Sequence, residues 1–241
     1  MKTKLLSICL LFAFVALPAQ AQWGNKKVKG SGNVTTKTVS TSDYAKVSAV
    51  GSMDVYLVSG TEGNITVEAD DNFHEYIIVE TDGDKLILKI KNKVNLKSKN
   101  PIKITVPFRD LDGVKLTGSG DVVTRDAISA DNFEAAVTGS GDVNLEVNAK
   151  QVSFKVTGSG DMVLTGGADM AEIRISGSGD FDGRQFRAKT AEVSVAGSGD
   201  ADVYAEDRLT ARVSGSGDIT YGGSPSVDKK VSGSGSISSN N

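Results

Sequence analysis

The chain has one cysteine, one histidine, four prolines and an aromatic content of only 6% in 241 residues. Its cysteine, Cys9, lies in the first apolar segment, so everything downstream lacks disulfide staples, a thiolate nucleophile and cysteine metal ligands. His74 is the only histidine, and any serine–histidine or histidine–metal chemistry would have to be built around Asp70-Asp71-Asn72-Phe73-His74-Glu75. That cluster reads either as a metal site or as a capped turn. Sugar clefts normally offer exposed aromatic platforms, yet Tyr204 is the only aromatic at an outward position of the repeat described below. No catalytic residues, no metal site and no cofactor are therefore expected. Acidic pairs for glycoside hydrolysis keep a carbohydrate-active enzyme as the alternative.

Long apolar runs are also lacking after the start. Residues 1–21 combine Lys2 and Lys4, an apolar stretch from Leu5 to Leu17 and Ala19-Gln20-Ala21, the layout of a signal peptide cleaved after Ala21. The stretch is shorter than the ~20 residues a bilayer needs. The expected mature chain, 22–241, is a single exported domain with no transmembrane segment, located in the periplasm, at the cell surface or outside the cell. Removing Lys2 and Lys4 from 27 basic residues leaves 25 against 30 acidic ones, a charge of about −5. This disfavours nucleic acid as a partner.

Glycine is abundant: 27 residues, about 11% against a usual ~7%. Gly-Ser-Gly-Asp starts at Gly118, Gly139, Gly158, Gly177, Gly197 and Gly215, with Gly-Ser-Gly-Ser at Gly233, at spacings of 21, 19, 19, 20, 18 and 18. Gly30-Ser31-Gly32-Asn33 and Gly51-Ser52-Met53-Asp54 are weaker copies. Before each motif, apolar residues alternate with period two: Val114 and Leu116, Ala135 and Val137, Phe154 and Val156, Ile173 and Ile175, Val193 and Val195, Ala211 and Val213. Val122, Val143, Met162, Phe181, Ala201 and Ile219 follow the corner as a further inward position.

A period near 20 with glycine corners suits an all-β parallel β-helix, or solenoid, regular over 118–241. The 67 residues between Gly51 and Gly118 read as about three further periods, so about ten rungs are expected, on the order of 50 Å in length. An antiparallel sandwich is the rival. Within the less regular part, strands are expected at 64–69, 76–80, 85–90 and 102–106, with a turn at Thr81-Asp82-Gly83-Asp84.

Three charge patterns stand out. Asp121, Asp142, Asp161, Asp180, Asp200 and Asp218 form a ladder, readable as Asx-type turns or as an ion site. Stacked ~4.8 Å apart in water, such carboxylates repel by only about 0.9 kcal/mol. Lys115, Lys155, Arg174, Arg212 and Lys230 occupy one outward position, interrupted by Ala136 and Ser194, and are the candidate ligand-binding residues. Their expected partner is an anionic envelope polysaccharide or another surface protein, although acids two positions earlier (Glu134, Glu172, Glu192, Asp228) allow a merely self-paired face. Lys89, Lys91, Lys93, Lys97, Lys99 and Lys103 suggest an exposed edge strand.

Several segments together resemble a known family: Asp43-Tyr44-Ala45-Lys46-Val47, Val50-Gly51-Ser52-Met53-Asp54-Val55-Tyr56-Leu57, Ile65-Thr66-Val67-Glu68-Ala69-Asp70-Asp71-Asn72, Asp82-Gly83-Asp84-Lys85-Leu86, Ile104-Thr105-Val106-Pro107 and the Gly-Ser-Gly-Asp ladder. They are similar to the head GIN domain family, described as auto-transporter adhesins, over nearly the whole chain from about Gly30. The resemblance implies an exported β-helical protein with adhesin-like binding or scaffolding as its role. It supplies no catalytic or binding residues.

Overall fold

The alternation read from the sequence is the register of the protein. A computed structural model describes residues 25–240; the expected leader at 1–21 lies outside the described residues. Val114 pairs with Ala135, and the column continues through Phe154, Ile173, Val193 and Ala211, while Leu116, Val137, Val156, Ile175, Val195 and Val213 form a second column beside it. All of these side chains are buried, as are Val122, Val143, Met162, Phe181, Ala201 and Ile219. The pairing is parallel throughout this half, so the architecture is a β-solenoid and the sandwich is excluded. Alanines in one rung make room for rings in the next: Phe154, stacked on Ala135, meets Phe133, Phe181 and Phe186 at centroid distances of 6.4, 6.1 and 5.6 Å.

Each regular turn has two sides and two corners. The Gly-Ser-Gly-Asp corner recurs because neither glycine has space for a side chain. Gly177 adopts φ +128, and a Cβ there would lie 2.2 Å from the Gly158 carbonyl oxygen; a Cβ on Gly179 would lie 2.1 Å from that of Gly160. The close approach lets Ser178 N–H and Gly179 N–H both donate to the Gly158 carbonyl, at 2.8 and 3.1 Å. The opposite corner is polar and alternates in sign up the stack, with Asp131 bridged to Lys150 at 2.7 Å and Asp169 to Lys189 at 2.6 Å.

The stack has about seven turns instead of ten. The extra rungs expected between Gly51 and Gly118 are absent because residues 60–112 build a cap of a different kind. Lys46–Gly51 and Met53–Ser59 form the first rung, lying beneath Gly113–Gly118 and Val122–Thr124. From Ser59 the chain descends, and Lys85–Ile90 and Ile102–Phe108 form a layer under that rung. Antiparallel partners close this end: Ile77–Asp82 turns through Gly83 onto Lys85–Ile90, and Asn64–Asp70 lies between Val34–Ser40 and Ile102–Phe108. The four strands expected in this region are present, near their expected bounds. Gly30–Asn33 is not a stacked corner; the Ser31 and Gly32 N–H groups donate to the Asn72 and Asp70 side chains. Met53 replaces the second corner glycine where the ladder starts, and among the described residues no stacked glycine corner lies below it.

The edge-strand reading of the lysine run fails at Lys89 and Lys103. Their strands are paired on both sides, and the side chains meet Glu80 at 2.7 Å and Glu68 at 3.4 Å. Lys97 instead ends Val94–Lys97, which pairs in parallel with Lys26–Lys29 as a two-stranded ribbon. Among the described residues, no helix is long and apolar enough to cross a membrane.

Candidate functional site

The basic residues form one column. Lys115 pairs with Ala136, Ala136 with Lys155, Lys155 with Arg174, Arg174 with Ser194, Ser194 with Arg212 and Arg212 with Lys230. At one strand spacing per rung the column is about 29 Å long. Strand alternation places its members outward, with the next position buried from Leu116 through Val213.

The five cations differ in their engagement. Arg174 forms an ion pair with Glu172 on its own strand. Arg212 grips Asp228 of the next rung, with guanidinium nitrogens 2.6 and 3.2 Å from the two carboxylate oxygens and a third contact of 2.9 Å to the Asp228 carbonyl. Hydrogen bonding from Arg212 holds the Asp228 carboxyl below the usual range and raises the guanidinium correspondingly. Lys115 and Lys155 are exposed and, among the described residues, have no carboxylate within ion-pair distance.

The interruption at Ala136 creates a site. Small residues Ser48, Gly113, Ala136 and Ser153 alternate between two neighbouring columns on successive rungs and leave a depression of about 450 Å³. Four lysines, Lys46, Lys85, Lys115 and Lys155, frame it, with Glu134 on the rim. Lys46 also pairs with Asp84 at 3.0 Å. Lys46 sits five residues before Gly51, the repeat position of Gly113 and Glu134, but the repeat could not reveal Lys85 as a member of the site. Lys85 arrives through the cap, where the chain passes under its first rung and sets it in register with Lys46.

The aspartate ladder is bonded between rungs and not within its own turns. Each carboxylate accepts the backbone N–H of the aspartate above: Asp142 N–H to Asp121 at 3.2 Å, Asp161 to Asp142 at 2.9 Å, then Asp180 to Asp161, Asp200 to Asp180 and Asp218 to Asp200 at 2.8 Å. Ser236 ends the series, giving both its N–H and its hydroxyl to Asp218. Asp54 occupies the same column below Asp121; burial first, and then the Asp121 charge, pushes its carboxyl above the ordinary range.

The segment around the histidine serves the cap. Its Nε2 lies 3.0 Å from Thr35 Oγ1 and 3.2 Å from the Thr35 carbonyl. Asp70 is buried and accepts hydrogen bonds from Ser98, Asn100 and the Gly32 N–H, and Asp71 accepts them from Ser31 and Asn33. Among the described residues, no group of three His, Cys, Asp or Glu is arranged to hold a metal ion. The outward aromatic, Tyr204, is stacked under the Arg187 guanidinium at 4.3 Å.

The same fold is found in solved structures. A structure described as a putative adhesin from Bacteroides fragilis NCTC 9343 is 25% identical, with 88% of this chain and 99% of that chain covered and a TM-score of 0.82. One described as a putative lipid binding protein from Parabacteroides distasonis ATCC 8503 is 27% identical over 90% and 100% of the two chains, with a TM-score of 0.75. A putative adhesin from Parabacteroides merdae ATCC 43184, 20% identical over 90% and 100%, shares the fold with a TM-score of 0.72. No curated protein matches the chain. Residues 43–225 match the family model described as "Putative auto-transporter adhesin, head GIN domain", and the chain therefore belongs to the head GIN domain family.

Proposed function

We propose that this protein is an exported, non-catalytic surface-binding module, an adhesin whose solenoid holds an acidic polysaccharide along the Lys115–Lys230 column. One observation carries the reading: the depression over Ala136, framed by four lysines of which Lys115 and Lys155 have no acidic partner among the described residues. Lys115 and Lys155 sit two rungs apart, roughly 10 Å, so a polyanion lying across the strands meets both. Arg174 and Arg212 extend the strip. Exposed ion pairs contribute only ~0–1 kcal/mol, so either arginine can exchange its carboxylate for one on a ligand at little cost. The adhesin description of the family and of the neighbour from Bacteroides fragilis supports a role at the surface. Export rests on the leader at 1–21, and N-terminal sequencing of the secreted product should begin at Gln22.

The test is a glycan array carrying acidic and neutral polysaccharides, probed with the chain from Gln22 onward. Acidic glycans should be retained and neutral ones should not. Preference for neutral glycans would remove the basic column from the site, and depolymerisation of a glycan would favour the carbohydrate-active enzyme.

A further inference from the structure

The two-stranded ribbon at the capped end carries a second cationic site. Lys26–Lys29 and Val94–Lys97 pair in parallel, with Val28 opposite Leu96 and Lys29 opposite Lys97. Val28 and Leu96 are partly buried against the core, so the alternate positions Lys27, Lys29, Asn95 and Lys97 face outward. Lys27, Lys29, Lys97 and Lys99 line a groove of about 680 Å³ together with the Gly30–Gly32 loop, Ser98 and Asn100.

Two features mark this cluster. Like charges directly opposite across a pair of strands are destabilising, and Lys29 and Lys97 occupy that arrangement, as Lys46 and Lys85, Lys155 and Arg174, and Arg212 and Lys230 do in the stack. Several cations elsewhere are matched: Lys46 with Asp84, Lys89 with Glu80, Lys103 with Glu68, Lys150 with Asp131, Lys189 with Asp169 and Arg212 with Asp228. Among the described residues, none of the four groove lysines has a carboxylate within ion-pair distance. The carboxylates that bond the groove loop, Asp70 and Asp71, are satisfied by Ser98, Asn100, Ser31, Asn33 and the Gly32 N–H.

We propose that this groove binds a phosphate-bearing ligand, the ammonium groups of Lys27, Lys29, Lys97 and Lys99 supplying the counter-charge that the fold withholds. The loop amides are not free to form an anion nest, because Gly30 N–H donates to the Lys97 carbonyl, Ser31 N–H to Asn72 and Gly32 N–H to Asp70. Recognition falls to compact ammonium groups, which bind a phosphate as point charges and need no bidentate fork. The groove is larger than one phosphate and takes a pyrophosphate or a phosphorylated headgroup with part of its attached body.

The test uses the chain from Gln22 onward at low salt, with two probes: pyrophosphate by calorimetry, and vesicles of phosphatidylglycerol, with phosphatidylcholine as control, by co-sedimentation. The wild type should bind at least one, pyrophosphate binding marking a soluble phosphate ligand and vesicle binding alone a lipid headgroup. Lys29→Glu and Lys97→Glu should each weaken binding at least about tenfold, a loss of about 1.4 kcal/mol. Their melting temperatures should stay level or rise, because each reversal places opposite charges across the ribbon. Lys115→Glu, in the separate column, should bind the phosphate probe as the wild type does. No binding of either probe, binding that survives both reversals, or equal loss in Lys115→Glu would overturn the proposal and leave the lysines as solvated protection of the ribbon.

Discussion

Glycine and aspartate at the corner carry different kinds of necessity. Gly179 cannot be replaced because its missing Cβ is where the Gly160 carbonyl lies, 2.1 Å away, whereas Gly32 has nothing within 4 Å and is held only by its φ of +84. Gly179→Ala should therefore cost several kcal/mol in denaturant unfolding and Gly32→Ala about 1–2 kcal/mol; equal costs would mean that stacking clearance is not what selects the corner glycines. Asp180 accepts the Asp200 N–H. Asp180→Asn keeps a carbonyl acceptor and Asp180→Ala does not, so the alanine variant should be the less stable by about 1 kcal/mol in the same measurement. The inward valines and the corner glycines were legible in the sequence because both follow from local period and steric need. The bonding of the aspartates was not, since the donor belongs to the next rung and a carboxylate near a turn suggests its own backbone first.

The cap shows why strands can be read without their arrangement. Each of its strands carries its own alternation and turn signal, including Gly83 with φ +60, but nothing in residues 61–108 says that two of them pass beneath a rung formed earlier in the chain. That single detour removes the expected extra rungs and brings Lys85 beside Lys46. The cap is tied by carboxylates that prefer to be charged. Hydrogen bonding from Ser98 foremost holds the Asp70 carboxyl below its ordinary value, bonding from Ser31 foremost does so for Asp71, and the Lys46 ammonium does so for Asp84. A folded pKa below the unfolded one gives stability that is complete above the ordinary aspartate range, about 3.9, and is lost as pH falls through the folded values. Asp54 works in the opposite sense, since burial raises its pKa and its contribution weakens as pH rises. The three depressed groups outnumber it, so the urea midpoint should fall between about pH 6 and pH 3. Asp70→Asn should lower the midpoint at the higher pH and flatten that fall. An unchanged slope in this variant would move the acid sensitivity to another part of the fold.

The molecule is a capped rod whose outward columns each run the length of the stack. Eight stacked corner glycines, from Gly51 to Gly233, set the regular stack at about 34 Å, shorter than the rung count from sequence implied. The candidate column was legible because register copies one position from rung to rung, and the structure keeps all five cations in line. What the sequence could not show is their inequality: pairing by Glu172 and Asp228 occupies the arginines, while the small residues around Ala136 open a depression beside Lys115 and Lys155. A rod of this kind offers a polymer several weak contacts at once, and avidity follows from their number. The contacts are exposed, so binding should weaken steeply as salt rises past ~0.15 M, where the screening length is about 8 Å. The most direct measurement is the affinity of Lys115→Glu/Lys155→Glu for polygalacturonate, compared with wild type at low salt and accompanied by melting curves. The depression reading predicts that binding falls at least about tenfold while the melting temperature stays within a few degrees, since both side chains lie outside the core. Wild-type affinity in a folded double variant would contradict it.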